Sequence, residues 1–210
     1  WRRMKMLNRT SILRVDDLSV EDILKVMETA DSFKDISKRE IKKVPTLRGK
    51  TVVNLFFEPS TRTKTSFEVA AKRLSADMIN FSASSSSLKK GESIMDTLRT
   101  ILAMQVDLIV IRHSDSGTVK MVDDFVEVPV INAGDGKHQH PTQALLDLYT
   151  IRTRFEKFEG LKVAIAGDFL NSRVARSDIT IFEKMGMDVS LIAPSMLLPE
   201  DYQEFKVYHN

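Results

Sequence analysis

The sequence has 210 residues and a formal net charge of +2; it is 29% charged and 42% hydrophobic and contains no cysteine. This composition is typical of a soluble globular protein of one or one and a half domains, and the near balance of charges argues against a nucleic-acid binder. The lack of cysteine excludes disulfide scaffolds, zinc fingers, iron–sulfur sites and thiol catalysis.

Neither a membrane span nor a secretory signal is predicted. No apolar run approaches the roughly 20 residues that a transmembrane helix needs. The basic start at residues 1–7 is followed by no apolar core of the secretory type. We therefore expect a cytoplasmic protein.

Helices and strands are predicted to alternate along the chain. An apolar series at helix spacing after Ser19 predicts a first helix, and further helices are expected at residues 65–74, 94–102 and 145–155. Apolar runs predict strands at residues 51–57, 78–81, 107–111 and 128–131, and a serine-rich stretch at residues 82–90 is predicted to be a loop. This alternation favours an α/β fold with a parallel sheet flanked by helices.

A second α/β unit is predicted to begin near residue 156. It has strands at residues 161–166 and 189–192 on either side of a helix at residues 178–185. Two or three strands do not complete a doubly wound domain of about 100 residues. We therefore expect one domain at residues 1–155 and the start of a second at residues 156–210.

A polar cluster follows the first predicted strand. Residues 60–65 read Ser-Thr-Arg-Thr-Lys-Thr, which places hydroxyl groups and two cations between a strand end and a helix start. Free backbone N–H groups and the positive end of a helix attract anions there, and arginine matches phosphate oxygens with two parallel hydrogen bonds. A lone Ser-Thr pair would be read as a helix cap, but this series predicts phosphate or carboxylate binding. It is not a P-loop, because the glycine-rich pattern is missing.

The segment at residues 56–63 resembles the carbamoyl-phosphate signature of the transcarbamoylase family. Four further segments agree with that family in order and spacing: Lys-Lys-Gly-Glu-Ser at 89–93, Arg-His at 112–113, the segment 134–143, and Gly-Asp at 167–168 with Ser-Arg at 172–173. The Lys-Gly-Glu and His-Pro-Thr-Gln forms resemble the branch of the family that uses aspartate rather than ornithine.

The resemblance implies a reaction. The carbamoyl group of carbamoyl phosphate would pass to the amino group of L-aspartate, giving N-carbamoyl-L-aspartate and phosphate, an early step of pyrimidine biosynthesis. The reaction builds charge on the carbamoyl oxygen and on the departing phosphate, so donors aimed at both would lower the barrier. No cofactor is implied, and four histidines without cysteine show no metal-ligand pattern.

The resemblance also assigns residues to the site. Carbamoyl phosphate would be bound by Ser60, Thr61, Arg62, Thr63, Ser86, Lys90, Arg112, His140 and Gln143. The residues expected to act in catalysis are Arg62, Thr63, Lys90, Arg112 and His140, with His140 on the carbamoyl carbonyl. Gln143 would accept from the carbamoyl NH2 through its amide oxygen, and Lys90 and Arg173 would bind aspartate.

The family resemblance further implies an assembly. The loop that carries Ser86 and Lys90 would enter the neighbouring subunit's site, which predicts a cyclic homotrimer with shared active sites. Ser87 is the alternative to Ser86, and the spacing to Lys90 favours Ser86. The resemblance is compatible with an attached regulatory chain.

The sequence departs from the family at its end. The family's second domain continues for about a hundred residues more, and these supply another arginine for aspartate and a His-Pro-Leu-Pro-Arg loop. Because catalysis needs both substrates held in reacting geometry, we expect the chain alone to bind carbamoyl phosphate weakly and to turn over poorly or not at all. Two alternatives remain open: another transcarbamoylase, such as one acting on ornithine, and a non-catalytic anion-binding or oligomerising module of the same fold.

Overall fold

The computed structural model describes residues 11–82, 93–202 and 204–209. The helices are α1 (Val20–Ser37), α2 (Thr61–Arg73), α3 (Ile94–Ala103), α4 (Thr118–Phe125), α5 (Pro141–Arg152) and α6 (Arg173–Lys184). The strands are β1 (Thr51–Phe56), β2 (Asp77–Ser82), β3 (Leu108–His113), β4 (Val130–Asp135), β5 (Lys162–Ala166), β6 (Asp188–Ile192) and β7 (Lys206–Tyr208). None of these helices is long and apolar enough to cross a membrane.

The first four strands form one parallel sheet in the order β2-β1-β3-β4. The chain first winds from β1 to β2 and then returns to the other side of β1 with β3. In open α/β sheets such a reversal opens a crevice beyond the carboxyl ends of the two strands where it occurs. The residues that follow β1 and those that end β3 therefore lie at a common crevice.

Strands β1 and β3, at the centre of this sheet, are buried because helices cover the sheet, whereas β2 lies at an edge and is only partly buried. Val53 in β1 lies opposite Ile79 in β2 on one side and Ile109 in β3 on the other, and Val53 and Ile109 are fully buried. Such apolar runs are typical of parallel strands with both faces covered. The resulting rigid sheet holds the ends of β1 and β3 at fixed positions.

A second parallel sheet, in the order β5-β6-β7, contains the last three strands. Helices α5 and α6 pack together, and Leu148 of α5 belongs to the same apolar cluster as Ile181 of α6, Ile23 of α1 and Phe169. The helix that follows the first sheet is therefore packed against the first helix of the second unit. This contact brings the start of α6 to the crevice of the first sheet.

The predicted fold class is confirmed: a parallel α/β sheet flanked by helices is followed by the start of a second parallel sheet. Some element bounds were predicted wrongly. Helix α2 begins at Thr61 rather than residue 65, and α6 begins at Arg173, because Ser172 caps it by accepting a hydrogen bond from the Ala175 N–H at 3.1 Å. Strand β4 runs on to Asp135, and the short helix α4 was not predicted.

Candidate functional site

A cleft of about 860 Å³ lies at the crevice between β1 and β3. Seven of the predicted site residues line it: Ser60, Arg62, Thr63, Arg112, His140, Gln143 and Arg173. They come from the start of α2, the end of β3, the start of α5 and the start of α6. Thr61 is exposed and is not part of the lining. Ser86, Ser87 and Lys90 lie outside the described residues.

The start of α2 presents unsatisfied donors to the cleft. Ser60 occupies the N-cap position with extended backbone, but its side chain does not cap the helix. Its hydroxyl donates instead to the Thr63 hydroxyl at 2.9 Å. The first N–H groups of a helix have no partner within the helix, and the helix dipole places partial positive charge there. Together with the Arg62 side chain, this end of α2 favours an anion.

Glu58 joins two arginines that line the cleft. Arg112 donates from Nη2 to Glu58 Oε1 at 2.9 Å, and Arg173 donates to both carboxylate oxygens at 2.8 Å. Arg112 also donates to the Ala133 carbonyl at 3.2 Å, and Arg173 to the Gly136 carbonyl at 2.8 Å. Residues that are far apart in sequence are therefore held together by charge-assisted hydrogen bonds.

The two arginines keep the Glu58 carboxyl group ionised. Burial opposes ionisation of Glu58, but hydrogen bonding to Arg173 and the charges of Arg112 and Arg173 outweigh it, so the pKa of Glu58 is lowered. One carboxylate then faces two guanidinium groups. The group keeps a net positive charge and remains suited to a negatively charged ligand.

His140 is buried at the start of α5, directly before Pro141. Its backbone N–H donates to the Ser177 hydroxyl at 2.8 Å, and that hydroxyl donates to Gln139 Oε1 at 2.8 Å. Burial, followed by the charges of Arg112 and Arg173, lowers the pKa of His140 to about 4. The imidazole is therefore neutral at physiological pH and can donate one hydrogen bond without carrying charge.

Known proteins are similar to this chain in sequence over most of its length. A family model described as aspartate/ornithine carbamoyltransferase, carbamoyl-P binding domain, matches residues 10–153. This chain belongs to that family. The aspartate carbamoyltransferase catalytic subunit of Syntrophus aciditrophicus is 55% identical over 199 residues, which cover 95% of this chain and 65% of the relative. The subunit of Roseiflexus sp. is 54% identical over 195 residues, which cover 92% of this chain and 61% of the relative. The chain thus spans less than two thirds of these carbamoyltransferases.

Solved carbamoyltransferase structures share the fold. A putative aspartate carbamoyltransferase from Trypanosoma cruzi superimposes with a TM-score of 0.87 at 31% identity, covering 96% of this chain and 70% of that one. A Trypanosoma cruzi aspartate transcarbamoylase in complex with carbamoyl phosphate and aspartate gives a TM-score of 0.85 at 29% identity, covering 96% and 66%. The carbamoyltransferase family predicted from the motifs is therefore confirmed.

Two residues that organise this carbamoyltransferase cleft were not predicted from the sequence. Glu58 lies within the segment 56–63 that resembles the family signature but was assigned no role, although a carboxylate after a buried strand is a signal of a site residue. Gly134 has a φ of +127°, and a Cβ there would lie 3.0 Å from Arg112 Nη1 and 3.2 Å from the Arg173 guanidinium carbon. Only glycine adopts this backbone easily and leaves space for both side chains.

Metal ligands form no comparable group. Within residues 11–82, 93–202 and 204–209, no cluster of three or more histidine, cysteine, aspartate or glutamate side chains could hold a metal ion. The donors that converge on the cleft are hydroxyl, guanidinium, imidazole and amide groups. These groups suit direct binding of phosphate and carbonyl oxygens.

The neutral state of His140 can be tested directly. NMR titration of the imidazole signals is expected to show His140 unprotonated from neutral pH down to about pH 4, where its pKa lies. Because the pKa of His140 is depressed on folding, this residue's contribution to stability is full above about pH 6.5, the ordinary value, and is lost as pH falls towards 4. A His140 transition near pH 6.5 would contradict the burial argument.

Proposed function

We propose that this chain carries the carbamoyl-phosphate site of an enzyme that transfers a carbamoyl group from carbamoyl phosphate to L-aspartate. The observation that carries the proposal is the single cleft lined by residues from four separate segments, with the uncapped start of α2 beside Arg112 and His140. Support comes from relatives named as aspartate carbamoyltransferase catalytic subunits and from the Trypanosoma cruzi complex with both substrates.

The phosphate would be bound at the start of α2. There the Ser60 and Thr63 hydroxyls, the first backbone N–H groups, including that of Thr61, and the Arg62 guanidinium would act as donors. The carbamoyl carbonyl would face Thr63, Arg112 and neutral His140. Gln143 would accept a hydrogen bond from the carbamoyl NH2.

The reaction follows from these positions. The neutral amino group of aspartate attacks the carbamoyl carbon, and the carbonyl oxygen gains negative charge as a tetrahedral intermediate forms. Donors from Arg112, His140 and Thr63 stabilise that oxygen. The bond between the carbamoyl carbon and the phosphate oxygen then breaks, the phosphate leaves with the electron pair, and the proton lost from the amine is taken up by phosphate. Arg173 would hold an aspartate carboxylate, for which a guanidinium is suited.

The proposal extends to the assembly and its setting. We propose a homotrimer in which Ser86 and Lys90 of one subunit complete the neighbour's cleft, with Lys90 contacting both substrates. The cytoplasm is the proposed compartment, and pyrimidine biosynthesis the proposed pathway. We also propose a domain boundary near residue 155, between α5 and β5. The trimer is proposed from the family resemblance, and a head-to-tail contact between identical subunits closes as a ring of this kind.

Calorimetric titration with carbamoyl phosphate tests the proposal. The 210-residue chain is expected to bind saturably, and Arg62→Ala to weaken binding about 10- to 100-fold through loss of charge-assisted hydrogen bonds worth about 1.5–3 kcal/mol. Lys64→Ala is the matched control, because Lys64 lies in the same turn of α2 but does not line the cleft. Solution mass measured on the same samples reports the assembly.

Two results would contradict the proposal. One is a folded wild-type trimer that does not bind carbamoyl phosphate. The other is an Arg62→Ala variant that binds as tightly as Lys64→Ala. A folded monomer that does not bind would place the failure in the proposed assembly.

A further inference from the structure

The Gln143 side chain is hydrogen-bonded to a carboxylate on its own helix. Its amide nitrogen Nε2 donates to Asp147 Oδ1 at 3.0 Å, one helical turn further along α5. Gln143 lines the cleft, whereas Asp147 is half-buried and is not among the lining residues. Asp147 can therefore orient the Gln143 amide without itself contacting a ligand in the cleft.

The direction of the Gln143 amide decides which ligand it can recognise. The oxygen and nitrogen ends of an amide are nearly the same size, but one end accepts hydrogen bonds and the other donates them. An ionised carboxylate only accepts, so it binds the NH2 end of Gln143 and turns Oε1 away from itself. A reversed amide would set two oxygens against each other and lose a charge-assisted hydrogen bond.

Asp178 on α6 favours ionisation at Asp147 by taking the proton itself. Its Oδ1 is buried and has no hydrogen-bond partner. Burial, together with the charge of Asp147, raises the pKa of Asp178 to about 7. Burial also raises the pKa of Asp147, but the hydrogen bond from Gln143 opposes part of that rise. When two nearby carboxyl groups compete for one proton, the group with fewer stabilising contacts holds it. Asp147 is then the partner that remains an acceptor.

We propose that Asp147 is a positioning residue that fixes the Gln143 amide with Oε1 towards the cleft, so that the site selects a ligand carrying an NH2 group beside its carbonyl. This role rests on the proposed function, because it concerns the carbamoyl half of carbamoyl phosphate. It adds a specificity determinant that touches Gln143 rather than the ligand. The selection works by excluding ligands that present an acceptor at the same place.

Two phosphonates of almost the same shape test this role. Phosphonoacetamide presents an NH2 group where phosphonoacetate presents a carboxylate oxygen. The wild-type chain is expected to prefer phosphonoacetamide in calorimetric titrations. In Asp147→Asn either direction of the Gln143 amide can be satisfied, so phosphonoacetate is expected to bind about tenfold more tightly than to wild type, while phosphonoacetamide changes by about twofold or less.

Two further variants serve as controls. Asp147→Glu keeps an accepting carboxylate and is expected to retain the wild-type preference for phosphonoacetamide. Asp31→Asn disturbs α5 elsewhere, because Asp31 accepts hydrogen bonds from the Tyr149 hydroxyl at 2.7 Å and from Arg152. It is expected to leave the ratio of the two affinities unchanged. Weakening of α5 alone would not make phosphonoacetate bind more tightly.

The possible failures can be told apart. If wild type binds phosphonoacetamide but Asp147→Asn weakens both phosphonates equally, or changes neither, the positioning role is wrong and the proposed function stands. If a folded wild-type trimer binds neither phosphonate nor carbamoyl phosphate, the proposed function fails and the positioning role fails with it.

Discussion

Replacing Glu58 by alanine is expected to lower the free energy of unfolding by about 2–3 kcal/mol, or the melting temperature by about 5–10 °C. The Arg112 and Arg173 side chains are only 11% and 14% exposed, and both donate to this carboxylate. Without it, two guanidinium groups face each other with unpaired donors. The Glu58 carboxylate is itself 29% exposed, which keeps the expected loss below that of a fully buried pair.

Glu68→Ala provides the matched control in thermal unfolding experiments. Glu68 is also 29% exposed, but its partner Lys72 is 60% exposed and only one ion pair is lost. Its melting temperature is expected to stay near that of wild type. Added inorganic phosphate is expected to raise the melting temperature of Glu58→Ala more than that of wild type, because an anion can pair with the freed arginines. Equal melting temperatures for the Glu58 and Glu68 variants would show that the bridge contributes little.

The pH dependence of this effect has a defined sign. The pKa of Glu58 is lowered on folding, so its stabilising contribution is fully present above the ordinary value of about 4.5 and is lost as pH falls below it. The stability difference between wild type and Glu58→Ala is therefore expected to shrink in acid.

The elements around β1 and β3 could be predicted from sequence because each carries its own local signal. The apolar runs at residues 51–56 and 108–111 are typical of strands in a sheet covered on both faces. The hydroxyl residues after β1 predict an anion site because they lie at the start of a helix. The family motifs then located Arg112 and His140. The apolar pattern of β1 and β3 and the anion-binding residues at their ends point to the same fold and site, and such agreement is what allows both to be predicted from sequence.

Other features depend on contacts that no local pattern contains. Glu58 and Arg173 are separated by 115 positions, and their pairing arises only when α6 packs against α5. The effect of Gly134 likewise requires the positions of both arginines. Helix α4 is eight residues long and follows Gly117 with a φ of +90°, so it offers a weak helical signal. These features are set by tertiary packing rather than by local preference.

The same packing gives the cleft its electrostatic character. Arg112, Arg173 and the start of α2 supply positive charge, and Glu58 compensates only part of it. Burial, reinforced by these positive charges, keeps His140 neutral. The cleft therefore favours an anion while its buried histidine remains a neutral hydrogen-bond donor.

Asp178→Asn is expected to stabilise the protein at about pH 8 by about 2–4 kcal/mol, with a rise in melting temperature of about 5–10 °C. Burial and the charge of Asp147 raise the pKa of Asp178 from 3.8 to about 7. Between these values the folded chain binds a proton that the unfolded chain releases, so stability falls as pH rises from about 4 to 7 and stays low above that. Asparagine has nearly the same shape and cannot ionise.

Denaturant unfolding of wild type and Asp178→Asn across this pH range measures the effect. The difference between the two chains is expected to be near zero at about pH 4, to grow through the range where Asp178 ionises, and to level off above about pH 7. The opposite trend from His140 is common to both chains and cancels in the difference. A stability difference that does not vary with pH would mean that Asp178 ionises as readily in the folded chain as in the unfolded one. Asp178 would then carry the same charge as Asp147 across the α5–α6 contact, and the argument that Asp178 takes the proton and leaves Asp147 to hold Gln143 would lose its basis.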